Sequence, residues 1–447
     1  MTRPKLSWSD LRGARVGVWG LGREGLASIR KLATLDVDPV LVDDRPSAVA
    51  VGGRPVLSTG YGGLAALEKC DVVVKSPGIS RYRPEVLRLE ERGIPVAGGL
   101  GLWLQEADTD RVVCVTGTKG KSTAVSIAGH LLNRLGYRCL VGGNIGLPPY
   151  DPEAGPGLWD YWFIEVSSYQ ATDLPVSPPV VAVTSLHPDH LPWHGGVEQY
   201  FGDKLTVCSQ PGADLTVANG DSELIRNRAR LLGPRVDWVH ADDEPSATWM
   251  NQLGLLGRHN RRNALIVQRC FAALGIPEAS DETRLAQAAA GFEHLLSRLQ
   301  VVAELGGVTF VDDSLSTNVL PTMAALDAFP GRRVALIVGG EDRGIDYVPL
   351  ADGLMDRSAP TLVLTLPDSG PRIHREIESA VAAPSAVAGV RDLADLESAV
   401  AQAFDWARPD GVVLLSPAAP SFGHFRDYRD RAEAFARAVA ASGNRTR

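Results

Sequence analysis

The sequence predicts an α/β protein of parallel sheets covered by helices, arranged in three successive units. Short β-branched runs are followed repeatedly by Gly-rich turns and then amphipathic stretches, which is the pattern of β-α repeats. The 447 residues exceed what one hydrophobic core serves, so two to four domains are expected. Hydrophobic residues at 45% and charged residues at 22% are the proportions of a water-soluble enzyme. A formal charge of -8 argues against a nucleic-acid partner, which needs clustered positive charge, so any phosphate site must be local. No apolar run approaches the roughly 20 residues of a membrane span. The opening Met1 to Gly13 has no apolar signal core, and a cytoplasmic protein is expected. Cys70, Cys114, Cys139, Cys208 and Cys270 have no CxxC spacing and read as buried free thiols.

The first unit begins with a strand over Arg15 to Trp19 and runs to about Ala107. Gly20-Leu21-Gly22-Arg23-Glu24-Gly25 follows that strand and opens a helix, with Asp43 and Asp44 about twenty residues on, as in a dinucleotide-binding turn. The same geometry serves NAD, a UDP group, or a tight turn with no ligand. The polar stretch Glu106 to Asp110 reads as a linker.

The second unit begins with a strand over Val112 to Val115 and runs to about Ser297. Its loop, Thr116-Gly117-Thr118-Lys119-Gly120-Lys121-Ser122-Thr123, is a phosphate loop of the spacing GxxGKS. Glycines let backbone N–H groups converge on phosphate oxygens, Lys121 reaches the β/γ-phosphates, and the Ser122 or Thr123 hydroxyl holds Mg²⁺. Ala124, Ile127, Ala128, Leu131, Leu132 and Leu135 share one face of the helix that follows, and Gly136 stops it. A strand ending near Glu165 places a carboxylate beside the loop, where it suits Mg²⁺. His187, His190 and His194 lie within eight residues, but no cysteine or fourth ligand accompanies them as a zinc site requires. Spacing alone makes Lys204 a surface lysine. The third unit begins near Arg298 and includes strands over Ala335 to Val338 and Val412 to Leu415, and Ser442 to Arg447 reads as a frayed tail.

Taken together, TGTKGKST (116–123), GGNIG (142–146), EVSSYQ (165–170), PDH (188–190), HNRRN (259–263), SRLQVV (297–302), VDDSLSTN (311–318) and SPAAPSFGHF (416–425) resemble the Mur ligases, in order and over nearly the whole chain. GLGREG and KSPGIS (75–80) place it nearest the MurD-like, glutamate-adding members. The resemblance implies three domains: a UDP-binding Rossmann-like domain over 1–108, a central P-loop ATPase domain over 109–297 and a Rossmann-like domain over 298–447 that closes on the site. Gly117, Thr118, Lys119, Gly120, Lys121, Ser122 and Thr123 would hold ATP, with Asn260 and Asn263 on adenine and Arg298 and Asp313 on phosphate and ribose. Gly20, Leu21, Gly22, Asp44, Arg45, Ser76, Asn144 and Ser168 would bind the UDP-sugar. Glu165 and His190 would hold Mg²⁺ with Ser122 or Thr123, supported by Lys204 as a carbamate; Lys121, Lys204, His190 and Glu165 form the catalytic set.

The implied reaction phosphorylates the carboxylate of UDP-N-acetylmuramoyl-L-alanine with ATP and adds glutamate to the acyl phosphate. Thr317, Arg343, Ser421 and Tyr428 would contact that glutamate. The ordinary D-glutamate enzymes have lysines where this chain has Leu315 and Arg343. These departures, with WHGG, DRGID and GPRIH, resemble the variant group that adds L-glutamate and leaves inversion to a downstream epimerase. The D-glutamate reaction is the alternative. A nicotinamide oxidoreductase would leave the phosphate loop idle. A non-catalytic nucleotide-binding regulator would not need Lys121, Glu165, His190 and Lys204 together. The N-terminal domain fits folate polyglutamate ligases poorly. A monomer is expected.

Overall fold

The computed structural model describes residues 3–46, 50–155, 157, 159–381 and 385–444. Among the described residues, eighteen strands form three six-stranded sheets. The first contains β1 (Val16–Trp19), β2 (Val40–Asp43), β3 (Ala50–Val51), β4 (Arg54–Ser58), β5 (Val72–Lys75) and β6 (Val96–Gly98), in the order β3-β4-β2-β1-β5-β6. The second contains β7 (Val112–Thr116), β8 (Cys139–Gly143), β9 (Tyr161–Glu165), β10 (Val180–Val183), β11 (Leu215–Asn219) and β12 (Arg235–Val239), in the order β12-β11-β10-β7-β9-β8. The third contains β13 (Gln300–Leu305), β14 (Val308–Asp312), β15 (Val334–Gly340), β16 (Thr361–Asp368), β17 (Val387–Asp392) and β18 (Val412–Leu415), in the order β13-β14-β18-β15-β16-β17. Pairing is parallel except for β3 with β4 and β13 with β14, at sheet edges. Strands β1, β5, β7, β10, β14 and β18 are buried along their whole length, as strands covered on both faces should be.

The strand orders explain where the motifs fall. In the first sheet the chain leaves β1 to one side and returns through β5 on the other. In the second it does the same around β7, with β9 on one side and β10 on the other. Such switch points open a crevice at the carboxyl ends of the strands, where ligands of α/β sheets bind. Gly20 follows β1, the phosphate loop follows β7, Glu165 ends β9 and Ser185 follows β10.

Residues Met1–Leu253 with Arg262–Phe292 make one compact unit, and Gly254–Arg261 with Glu293–Arg447 make a second. Inside the first unit, the first two sheets are joined by buried charge. Lys75 Nζ lies 2.5 Å from Asp173, and Arg81 reaches the same carboxylate at 2.9 Å and Glu90 at 2.6 Å. Arg30 binds Asp151 through Nε at 2.9 Å and through Nη2 at 2.5 Å. Removing one partner of such a buried set strands the other charge, at a cost of about 3–5 kcal/mol.

All five cysteines are free and buried. The helix after the phosphate loop spans Lys121–Leu135, and Gly136 caps it with φ 97°. The frayed tail expected from Ser442 is corrected at its start: the last helix, Tyr428–Asn444, runs into it, and buried Ser442 donates to the Ala438 carbonyl at 3.0 Å. Residues 445–447 lie outside the described part. No helix among the described residues is long and apolar enough to cross a membrane.

Candidate functional site

The site is clearest at the carboxyl end of the second sheet. Gly117 has φ 142°, and a Cβ there would fall 2.2 Å from Thr184 Oγ1, so only glycine serves. The loop is tied to the segment after β10. The Thr118 N–H donates to the Ser185 carbonyl at 2.9 Å, the Lys119 N–H to Ser185 Oγ at 2.8 Å, and the Thr118 hydroxyl to the His187 carbonyl at 3.0 Å. Lys121 Nζ donates back to the Gly117 and Thr118 carbonyls at 2.8 and 3.2 Å. A helix N-terminus and a cation therefore share one Gly-rich cradle, the environment an anionic phosphate needs.

Glu165 is buried, and its two oxygens accept from the Ser122 hydroxyl and the Asn144 amide, each at 2.7 Å. A carboxylate and a hydroxyl beside a phosphate loop are the hard oxygen donors that Mg²⁺ prefers, with water and phosphate completing its shell. Among the described residues no group of three or more His, Cys, Asp or Glu could hold a metal. Thr123 is buried in the first turn of the helix.

Lys204 is not a surface lysine but is 2% exposed. Its Nζ donates to the Gly117 carbonyl at 3.1 Å and lies 5.1 Å from the centre of the Tyr200 ring. Burial, and then the Lys121 ammonium, hold its pKa well below the ordinary lysine value against the pull of Asp189 and Glu165. A lysine pKa moved in this direction favours the neutral amine that carbamylation requires.

The three histidines separate. His187 is half-buried, and its N–H and carbonyl both bond the Thr118 hydroxyl. His190 takes φ 53° with its side chain about half exposed, and its ring lies 5.2 Å from that of Tyr169. Burial lowers the pKa of both. His194 is fully buried between Ser168 and Asp203. Asp203 and Tyr82, which donates to it at 2.6 Å, carry no motif of their own. The only signal for Asp203 is its place just before Lys204.

In the first sheet, Gly20 has φ 89°, and a Cβ on Gly25 would fall 1.9 Å from the Gly20 carbonyl oxygen. The two expected aspartates divide their roles. Asp43 accepts from the Leu21 and Arg45 N–H groups and so fixes the turn. Asp44 lines a groove with Thr59, Arg83 and Glu85, where Arg83 and the Thr59 hydroxyl outweigh burial and keep its pKa low. Ser76 donates to the Gly20 carbonyl at 2.6 Å, Gly22 faces open space, and Arg45 is exposed. Arg23 donates to the Asn144 carbonyl at 2.7 Å, which joins the GLGREG turn to the GGNIG loop.

In the second unit the motif loops follow the carboxyl ends of adjacent strands β14, β18 and β15. Arg431, completely buried, donates to the carbonyls of Ser314 at 2.8 Å and Ala419 at 3.1 Å and so ties two of these loops. Burial lowers its pKa to about 10. Asp313 accepts from the Ser316 and Ser416 hydroxyls and the Leu299 N–H, and burial nevertheless raises its pKa to about 7. A ribose contact there requires it to exchange a partner. Arg298 is half-buried between Ser297 and Leu299, whose φ values of 59° and 50° are strained for non-glycine residues. Ser421 is buried, Thr317 and Tyr428 are half-buried, and Arg343 is 54% exposed, paired to Glu341 at 2.6 Å. Asn260 donates to the Leu256 carbonyl at 2.8 Å in the second unit. Asn263 sits in the first unit, beside Gly120.

Comparison with known proteins decides the family. Residues 14–98 match the Mur ligase MurD-like N-terminal domain, 115–270 the Mur ligase middle domain, and 297–419 the Mur ligase glutamate ligase domain. Sequence identity is 41% to the UDP-N-acetylmuramoyl-L-alanine–L-glutamate ligase of Micromonospora sp., over 96% of this chain and 97% of that one. The chain belongs to the Mur ligase family. The enzyme of the same printed name from Xanthomonas euvesicatoria is 38% identical to this Mur ligase, over 96% and 95% of the two chains. Among solved structures, MurF of Acinetobacter baumannii superposes with a TM-score of 0.57 at 13% identity, covering 96% of this chain and 92% of that one. MurF of Thermotoga maritima, solved with ADP, gives 0.54 at 15% identity, covering 99% and 98%. The three-sheet α/β architecture is thus that of the Mur ligases.

Proposed function

We propose that this Mur ligase joins L-glutamate to UDP-N-acetylmuramoyl-L-alanine with cleavage of ATP to ADP and phosphate. The observation that carries the reading is the run of relatives of that printed name, at 36–41% identity over 96% of the chain. The geometry supports the reaction class. An acceptor carboxylate oxygen attacks the γ-phosphorus, the bond to the bridging oxygen breaks and ADP leaves. Lys121 and the loop N–H groups offset charge on the transferring group. The neutral glutamate amine then attacks the acyl carbon, phosphate departs and the amine proton is lost. Mg²⁺ would be held by Glu165 and His190, with Ser122 or Thr123 on the ATP-bound ion and carbamylated Lys204 in support, and would supply further charge neutralisation. The groove at Asp44, with Gly20, Leu21, Gly22, Arg45 and Ser76, takes the UDP end, and Asn144 and Ser168 also bind the UDP-sugar substrate. Asn260, Asn263, Arg298 and Asp313 serve the nucleotide, and Thr317, Arg343, Ser421 and Tyr428 serve glutamate, under domain limits of 1–108, 109–297 and 298–447. The enzyme works as a cytoplasmic monomer, and an epimerase acts on its product.

The test is phosphate release with this acceptor and ATP, with L- and D-glutamate in parallel and the product mass measured. Turnover with L-glutamate alone is expected. Turnover with D-glutamate alone assigns the other stereochemistry, and none with either removes the substrate assignment.

A further inference from the structure

The Ser168, His194 and Asp203 side chains form a hydrogen-bonded series that the reaction above does not use. His194 Nδ1 lies 2.7 Å from Asp203 Oδ2 and Nε2 lies 3.0 Å from Ser168 Oγ. All three residues are more than nine-tenths buried. The second Asp203 oxygen accepts from the Tyr82 hydroxyl at 2.6 Å and the Gln199 amide at 2.8 Å. The imidazole is stacked on Tyr169, with centroids 5.6 Å apart and planes at 24°, and meets the edge of Tyr200 at 5.1 Å. Every atom that could turn the ring is therefore held. Ser168 opens the short helix just after Glu165.

We propose that His194 and Asp203 are positioning residues for the acceptor substrate, acting through the Ser168 hydroxyl. This rests on the acceptor reading above. In this relay Asp203 accepts the hydrogen bond from Nδ1–H, and Nε2 accepts the one from the Ser168 hydroxyl. The Ser168 proton then points to His194, and the lone pairs on Oγ point away from it. Ser168 meets the substrate as a hydrogen-bond acceptor, suited to an amide N–H and not to a carboxylate. UDP-N-acetylmuramoyl-L-alanine carries such an amide next to the carboxylate that reacts. A hydroxyl free to rotate would offer its proton to that carboxylate instead, and the relay forbids this.

Isothermal titration of the full chain with UDP-N-acetylmuramoyl-L-alanine tests the inference, with steady-state rates and thermal melts alongside. Ser168→Ala and His194→Ala are each expected to weaken acceptor binding about tenfold, the worth of one hydrogen bond to a buried partner. KM for ATP should not move. The double variant is expected to match Ser168→Ala alone, because His194 then has nothing to orient. His194→Gln, whose side-chain oxygen can still accept the Ser168 proton, is expected to recover most of the affinity. Effects that add in the double variant, or unchanged acceptor binding in folded variants, overturn the proposal. A wild-type chain that does not bind this acceptor overturns the substrate assignment itself, and this inference with it.

Discussion

At the carboxyl end of the second sheet, Ser122, Glu165 and Lys204 are buried and already bonded to one another's loops. At the same end of the third sheet, Arg343 and Phe422 stand 54% and 48% exposed, although Arg431 and Asp313 in the same unit are buried and bonded. Both ends use parallel strands to bring distant motifs together. The difference is one of preorganisation. Phosphoryl transfer gains from charges fixed before the substrate arrives, since they need not reorganise during reaction. The proposed glutamate site, which would have to admit and then enclose a charged substrate, leaves Arg343 and Phe422 in water.

The largest effect should come from Lys121→Ala, which removes the cation from the finished end. ATP-dependent turnover should fall on the order of 10³-fold, as for other groups that stabilise the transferring phosphoryl. Near-normal phosphate release would erase the distinction between the two ends. Lys204→Ala should cost about 10²-fold, the low end of that same range, and short carboxylic acids should restore part of the loss by standing in for the proposed carbamate. Full activity with no response to acetate would return Lys204 to a packing role.

The third test concerns the buried floor of the other end. The pKa of Asp313 is raised to about 7, so the folded state holds its proton more tightly than the unfolded state. Its contribution is fully present below the unfolded value near 4 and is lost as pH rises through about 7. Melting temperature should therefore decline over that window, and Asp313→Asn should flatten the slope. An unchanged slope in the variant would place the titrating group elsewhere. The smallest effect belongs to the open rim. Leu315→Lys with Arg343→Lys should raise D-glutamate use relative to L-glutamate about tenfold, the size of one altered charged contact. Constant selectivity would move the stereochemical determinant off this rim.

The contrast also explains what could be read from the sequence. Gly117, Gly120, Lys121 and Ser122 are legible because strand, loop and helix are contiguous, and the local backbone alone makes the cradle. Glu165 is legible as the acidic end of a strand. The burial of Lys204 is not, because it depends on Tyr200 and on the loop that approaches it from β7. The relay through His194 joins Tyr82, Ser168 and Asp203 from three separate segments, and no spacing rule connects them. Arg431 reads as one more charge on an exposed helix until the fold buries it under two loops. The stretch Gly254–Arg261 precedes Arg262–Phe292 in the chain but packs with the later unit, which composition does not signal.

The Lys75–Asp173–Arg81 cluster has a consequence for length. It pins the first sheet to the second, so the groove at Asp44 and the phosphate loop behave as the two jaws of a locked caliper. For the proposed acceptor, whose nucleotide rests in one jaw, the gap measures how far away the carboxylate lies. A precursor one residue shorter or longer would present its carboxylate out of register with Glu165. On the proposed acceptor reading, the spacing between the two sheets would gauge substrate size without any side chain having to touch the residue being counted.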